Sequence, residues 1–220
     1  MKEEGYNIRD QRLPHFMTFT VVDWVDVFSR KNYRDLILES FDYCRKEKGI
    51  ILNAYVIMSN HIHVVMGSKN ERLSDLVRDF KKFTAKNCIN LIKTEPESRK
   101  DWMLKRFEFA ARSHSRNDTH QFWKYGSHSE EIFTENFMWT KLEYIHLNPV
   151  RAGIVEKASD YLYSSARNYV GKKGLIDIDL VEPKFLMQLK SQTLGVLCDL
   201  FALRSLKLRR CVPPSPDGNS

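Results

Sequence analysis

The sequence predicts an α+β chain of the ferredoxin-like, split βαβ type: an antiparallel sheet with helices on one face, followed by a further helix that bears a tyrosine. Three observations lead there. Strand-like and helix-like patterns alternate in the order β-α-β-β-α-β before the last helix begins. Two apolar runs, ILNAYVIM (51–58) and HIHVVMGS (61–68), are separated only by Ser59-Asn60, the spacing of a β-hairpin. With 42% hydrophobic and 12% aromatic residues in 220, the chain can bury one substantial core.

The elements follow in order. FMTFTVVDWVDVF (16–28) is rich in β-branched and aromatic residues and reads as the first strand. NYRDLILESFDYCRKEKG forms a helix with Leu36, Ile37, Phe41 and Cys44 on one face, basic residues in its last turn and Gly49 at the C-terminal cap. The hairpin comes next, expected as the two central strands, with His61 and His63 on the sheet face left open. Leu73 to about Lys93 is a second amphipathic helix, with Leu76, Val77, Phe80, Phe83 and Cys88 on its apolar side. Residues 94–119 read as a short helix and a loop, and HQFWKYG (120–126) as a weak fourth strand. Asn136–Leu147 is a compact helix that Asn148-Pro149 should stop, because proline disfavours the α conformation in the residue before it. Residues 1–181 form the expected domain. The remainder, 182–220, reads as an amphipathic helix with a turn-rich tail.

Charge and cysteines bound the function classes. Lys and Arg number 35 against 28 Asp and Glu, for a net +7. Between Arg78 and Lys124 there are 12 basic and 6 acidic residues, so this stretch holds most of the excess, interleaved with Phe80, Phe83, Trp102, Phe107, Phe109, Phe122 and Trp123. Such a mixture suits a nucleic-acid backbone with stacked bases, and equally a solvated helix face. Lys81, Lys82 and Lys86 are the candidates for phosphate contacts. Cys44, Cys88, Cys198 and Cys211 lack the close pairing of thiolate zinc sites. With no apolar leader and no membrane-length apolar run, the chain reads as a reduced, soluble, cytoplasmic protein.

The chemistry concentrates in two segments. In YVIMSNHIHVVM (55–66), His61 and His63 are two apart on a strand and therefore share a face, with Ile62, Val64 and Met66 opposite. Two neutral imidazoles suit a divalent ion when a third ligand and water complete the shell, and they also suit a plain polar surface. In LEYIHLNPVRAG (142–153), Tyr144 and Asn148 are one helical turn apart. A phenol and an amide oxygen beside a His-x-His strand would join a nucleophile to a metal seat. The plainer alternative has Tyr144 packing by its ring and Asn148 ending the helix.

These residues resemble a known family. HIH within YVIMSNHIHVVM is similar to the HUH motif (histidine, hydrophobe, histidine), and YIHLNPVRAGIV followed by SDYLYSSARNY resembles the downstream signature of one-tyrosine HUH transposases, in particular the REP-associated tyrosine transposases related to the smallest insertion sequences. FTVVDW, RDFKKFT and the Phe122-Trp123 pair agree in kind and order, so the resemblance spans about residues 15–181. It implies metal-dependent cleavage and rejoining of single-stranded or hairpin DNA through a 5′-phosphotyrosine. Tyr144 then takes the place of the nucleophile, His61 and His63 those of the metal ligands, and Asn148 that of a third ligand. The implied cofactor is Mg²⁺ or Mn²⁺, and the implied state a monomer or homodimer. The competing readings are a catalytically inactive DNA- or RNA-binding descendant and a phosphohydrolase that activates water. The second lacks further ligands in recognisable spacing, and the glycine-aromatic signature of RNA-recognition modules is absent.

Overall fold

The computed structural model describes residues 8–112, 119–126 and 129–182. The described residues up to Val181 belong to one compact unit. The extension expected at 182–220 lies, Glu182 apart, outside the described residues, and so do Cys198 and Cys211. The unit contains β1 (His15–Thr20), α1 (Lys31–Glu47), β2 (Ile50–Ile57), β3 (His61–Ser68), α2 (Leu73–Thr94), α3 (Lys100–Arg112), β4 (Ser129–Glu131) and α4 (Glu135–Arg151). The strands pair antiparallel in the order β2-β3-β1-β4, which is the split βαβ arrangement.

The central strands are β1 and β3, so the hairpin is not the central pair. Helix α1 carries the chain from β1 to a β2 that runs parallel to it one strand away, and β3 fills the gap. This leaves β2 at the edge. An open edge invites pairing with another chain, and here the segment after α4 covers it. Ile57 N donates to Tyr163 O, Ser165 N to Tyr55 O and Asp179 N to Leu52 O, at 2.8–3.0 Å.

The first strand is shorter than its apolar pattern. It ends at Thr20, and the chain turns through Asp23 and Trp24, both in the left-handed region at φ 53° and 55°, where no strand can continue. Residues 120–126 make only an isolated bridge, Trp123 to Val21, and the fourth strand is β4. Neighbours in a strand face opposite ways, yet Phe122 and Trp123 are both buried and both reach Phe28. In α2 the buried line is Leu73, Val77, Phe80, Thr84, Cys88 and Ile92, and Phe83 is exposed.

Cross-strand register sorts the faces. Thr18 stands opposite His63 and Phe16 opposite Val65, and Val56 is the partner of His63 on β2. Phe16, Thr18, His61 and His63 therefore share one face, while Met17, Phe19, Val64 and Met66 share the other. The second face is roofed by α1 and α2. Phe80 lies 5.8 Å from Phe19, Phe41 lies 6.1 Å from Tyr55, and Phe41 stacks on Phe80 with ring centres 4.5 Å apart. Such an aromatic pair adds about 1 kcal/mol beyond its buried area.

Helix α4 occupies the histidine face. Thr134 caps it by accepting a hydrogen bond from Phe137 N at 3.2 Å. It does not stop at Asn148 but continues through Pro149 to Arg151. Proline in the final turn forfeits one hydrogen bond, and burial of Ile145, His146 and Pro149 outweighs that loss. His146 is the anchor: its Nε2 is 2.9 Å from Ser165 Oγ, which accepts from Tyr55 N at 3.0 Å on β2. Burial pushes the His146 imidazole down to about 4. Because its folded pKa lies below its unfolded value near 6.5, the folded chain binds fewer protons between those limits, and stability falls as pH drops from about 6.5 to about 4. Replacing His146 with Gln should flatten this window in urea melts run at pH 7.5 and pH 5, removing a loss on the order of 2 kcal/mol.

Candidate functional site

The sheet and α4 bring the two sequence segments together. His61 and His63 project from the start of β3 with ring centres 4.7 Å apart, and the ring of Tyr144 stands edge-on to His63 at 5.1 Å. Phe16 stacks on His63 at 5.6 Å and meets Tyr144 edge-on at 5.8 Å. His63 is buried, whereas Tyr144 is 37% exposed and open to a ligand. A cavity of about 340 Å³ opens between the sheet and the helix, lined by Phe16, Thr18, His63, Glu130, Lys141 and Tyr144. That is large enough for a small charged group.

Hydrogen bonds orient both imidazoles. His61 Nδ1 lies 2.7 Å from Asn60 Oδ1, and Asn60 Nδ2 donates to Trp24 O at 3.3 Å. The two contacts fix the amide orientation. Since an amide oxygen only accepts, His61 carries its proton on Nδ1 and keeps a lone pair on Nε2. Thr18 Oγ1 lies 2.8 Å from His63 Nδ1 and holds that ring in place. Burial lowers the pKa of His61, and burial together with the charges of His61 and Lys141 pushes that of His63 down to about 3. Two neutral imidazoles side by side, His61 with its Nε2 lone pair free, could hold a divalent ion. Among the described residues no three His, Cys, Asp or Glu side chains group into a metal cage. An ion held by this pair would need amide, water or phosphate oxygens to complete its shell.

One face of α4 carries the rest. Lys141, Tyr144, Asn148 and Arg151 recur at helical spacing. Lys141 Nζ is 2.7 Å from Glu130 Oε1 and 4.5 Å from the centre of the Phe16 ring, and the Arg151 guanidinium lies 5.6 Å over Tyr144. Asn148 is half-buried one turn beyond Tyr144. The three lysines of α2 sit elsewhere, on the helix layer roofing the opposite sheet face. Lys82 and Lys86 are exposed there. Lys81 packs 5.8 Å from the Phe19 ring, and burial pushes its ammonium down to about 7.

Sequence reasoning passed over Thr18, Asn60, Glu130, Lys141 and Arg151. The helical spacing that linked Tyr144 to Asn148 also reaches Lys141 and Arg151. Glu130 went unseen because the fourth strand was expected at 120–126; the true β4 pairs Glu130 with Phe16 and delivers it to the cavity. His128, just before β4 in the sequence, lies outside the described residues.

The profile of the IS200-like transposases matches residues 15–127, a little over half of the chain. The chain belongs to the IS200-like transposase family. The match takes in His61 and His63 and ends before Tyr144. Among solved structures, the transposase chain is similar to a REP-associated tyrosine transposase bound to a REP hairpin, at 17% identity and a TM-score of 0.55, covering 83% of this chain and 93% of that one. At that identity the likeness is one of fold. A chain from Deinococcus radiodurans proposed to be a transposase matches at 14% identity and a TM-score of 0.38, over 66% of this transposase and 95% of its own length. No curated protein matches. Among the described residues no helix is long and apolar enough to cross a membrane.

Proposed function

We propose that this transposase cleaves and rejoins single-stranded or hairpin DNA, with Tyr144 as nucleophile and His61 and His63 as ligands of a divalent cation, Mg²⁺ or Mn²⁺. The observation that carries the reading is the file of rings His61, His63 and Tyr144, assembled from segments that are distant in sequence. Tyr144 Oη attacks the scissile phosphorus and loses its proton, the P–O3′ bond breaks, and the 3′ oxygen leaves and takes up a proton. The products are a 5′-phosphotyrosyl protein and a free 3′-hydroxyl. One phosphodiester replaces another, so rejoining by attack of a 3′-hydroxyl on the phosphotyrosine needs no nucleotide cofactor. A bound cation would polarise the phosphate and offset its growing charge. Asn148, on the same helix face as Tyr144, is proposed as the third protein ligand.

Lys141, paired with Glu130, and Arg151, whose guanidinium lies over the Tyr144 ring, are the cations of this helix face and are proposed to offset charge that builds on the phosphate during attack. Lys141→Gln should slow single-turnover cleavage roughly 10- to 100-fold at saturating DNA, the size of effect expected when one charge-stabilising group is lost. Lys141→Arg should recover most of the rate. Lys82 and Lys86 are proposed to hold flanking DNA backbone rather than the scissile phosphate, given their position on the far face.

The test uses a 3′-labelled oligonucleotide carrying the hairpin that flanks the gene. After incubation with Mg²⁺ or Mn²⁺, a labelled protein band that survives denaturant would support the phosphotyrosine. Cleavage without any covalent species would point to attack by water instead.

A further inference from the structure

Trp24 is a large aromatic residue outside the buried core. It is 58% exposed, and it stands in the left-handed backbone region, φ 55°, directly after Asp23 at φ 53°. A bulky residue in that region is a rare outlier. Such strain persists only where surrounding contacts enforce it, and it concentrates at functional sites. The enforcing contacts are visible. Trp24 N donates to Val21 O at 3.1 Å, and Trp24 O accepts from Asn60 Nδ2 at 3.3 Å. Asn60 also holds His61, and the Trp24 ring meets the His61 ring edge-on, centres 6.0 Å apart at 79°. The exposed indole is therefore fixed at one end of the file that runs through His61 and His63 to Tyr144.

We propose that Trp24 is a stacking platform for a nucleobase of the single strand, next to the phosphate that a cation at His61 and His63 would engage. The inference rests on the single-stranded DNA reading above and adds a base-binding site to it. Every base presents a π-face, so an exposed indole takes any of the four, and such stacking contributes substantially to single-strand affinity. The shared Asn60 couples the two sites, because the amide that holds the Trp24 backbone also sets the proton position on His61.

Trp24→Gly is the informative variant. Glycine is at ease at φ 55°, so removing the indole relieves strain instead of opening a hole in the core. The variant should melt no lower than the parent, and it should bind fluorescein-labelled oligodeoxythymidylate about tenfold more weakly. It should bind an abasic polymer of the same length and charge as well as the parent does. Equal loss on both polymers, or no loss on oligodeoxythymidylate, would overturn the platform. A lower melting temperature with undiminished base dependence would make Trp24 a structural residue and would likewise overturn it. If the parent protein binds neither polymer, the single-stranded DNA reading itself fails, and the platform with it.

Discussion

Tyr144→Phe is expected to abolish the covalent DNA–protein species, lowering cleavage by roughly 10⁴-fold or more, the scale on which removing a sole nucleophile acts. The change deletes one oxygen from a partly exposed ring and leaves its edge contacts with His63 and Phe16 in place. Folding and affinity for the oligonucleotide should therefore stay near those of the parent. The measurement is adduct yield on a denaturing gel beside a binding titration of the same preparation. An undiminished adduct would assign the nucleophile elsewhere, and Tyr161, Tyr163 and Tyr169 would be poor replacements. Their hydroxyls are already engaged, with Ile57 O at 2.7 Å, Asp35 Oδ1 at 3.0 Å and Asn53 O at 3.0 Å.

The second large effect concerns the imidazole pair. His61→Ala and His63→Ala should each lower cation-dependent cleavage by about 10³-fold, corresponding to several kcal/mol of charge stabilisation at the phosphate. The two variants should differ in stability. His63 is buried between Phe16 and Tyr144 and is tied to Thr18, so its loss opens a gap in the packed face. His61 is less enclosed, and its alanine variant should melt close to the parent. Titrating Mn²⁺ by calorimetry gives the independent readout, with weak binding in the parent and none in either variant. Cleavage that persists in excess chelator would remove the metal role altogether.

That His61 and His63 share a strand face, and Tyr144 and Asn148 a helix face, was legible before any coordinates because each pairing depends on a short-range rule. Residues two apart share a strand face, and residues four apart share a helix face. The element order was legible for the same reason, down to Gly49, whose φ of 78° ends α1 as the cap position predicts. The errors arose where a local rule met a larger packing term. Pro149 does not break α4, because its helix is held by burial against the sheet. The apolar pair Phe122-Trp123 resembles a strand, yet both rings go into one core.

By itself, the sequence determined the kinds of element, their order and which candidate side chains share a strand face or a helix face, since periodicity and spacing act over a few residues. Only the tertiary structure decided that β3 lies between β1 and β2, that α4 takes the histidine face, that Glu130 and Lys141 line the cavity, and that the Trp24 ring meets His61. Those outcomes depend on strand register and helix docking across the whole chain. They are set by the burial of faces against one another, a cooperative quantity that no local stretch contains.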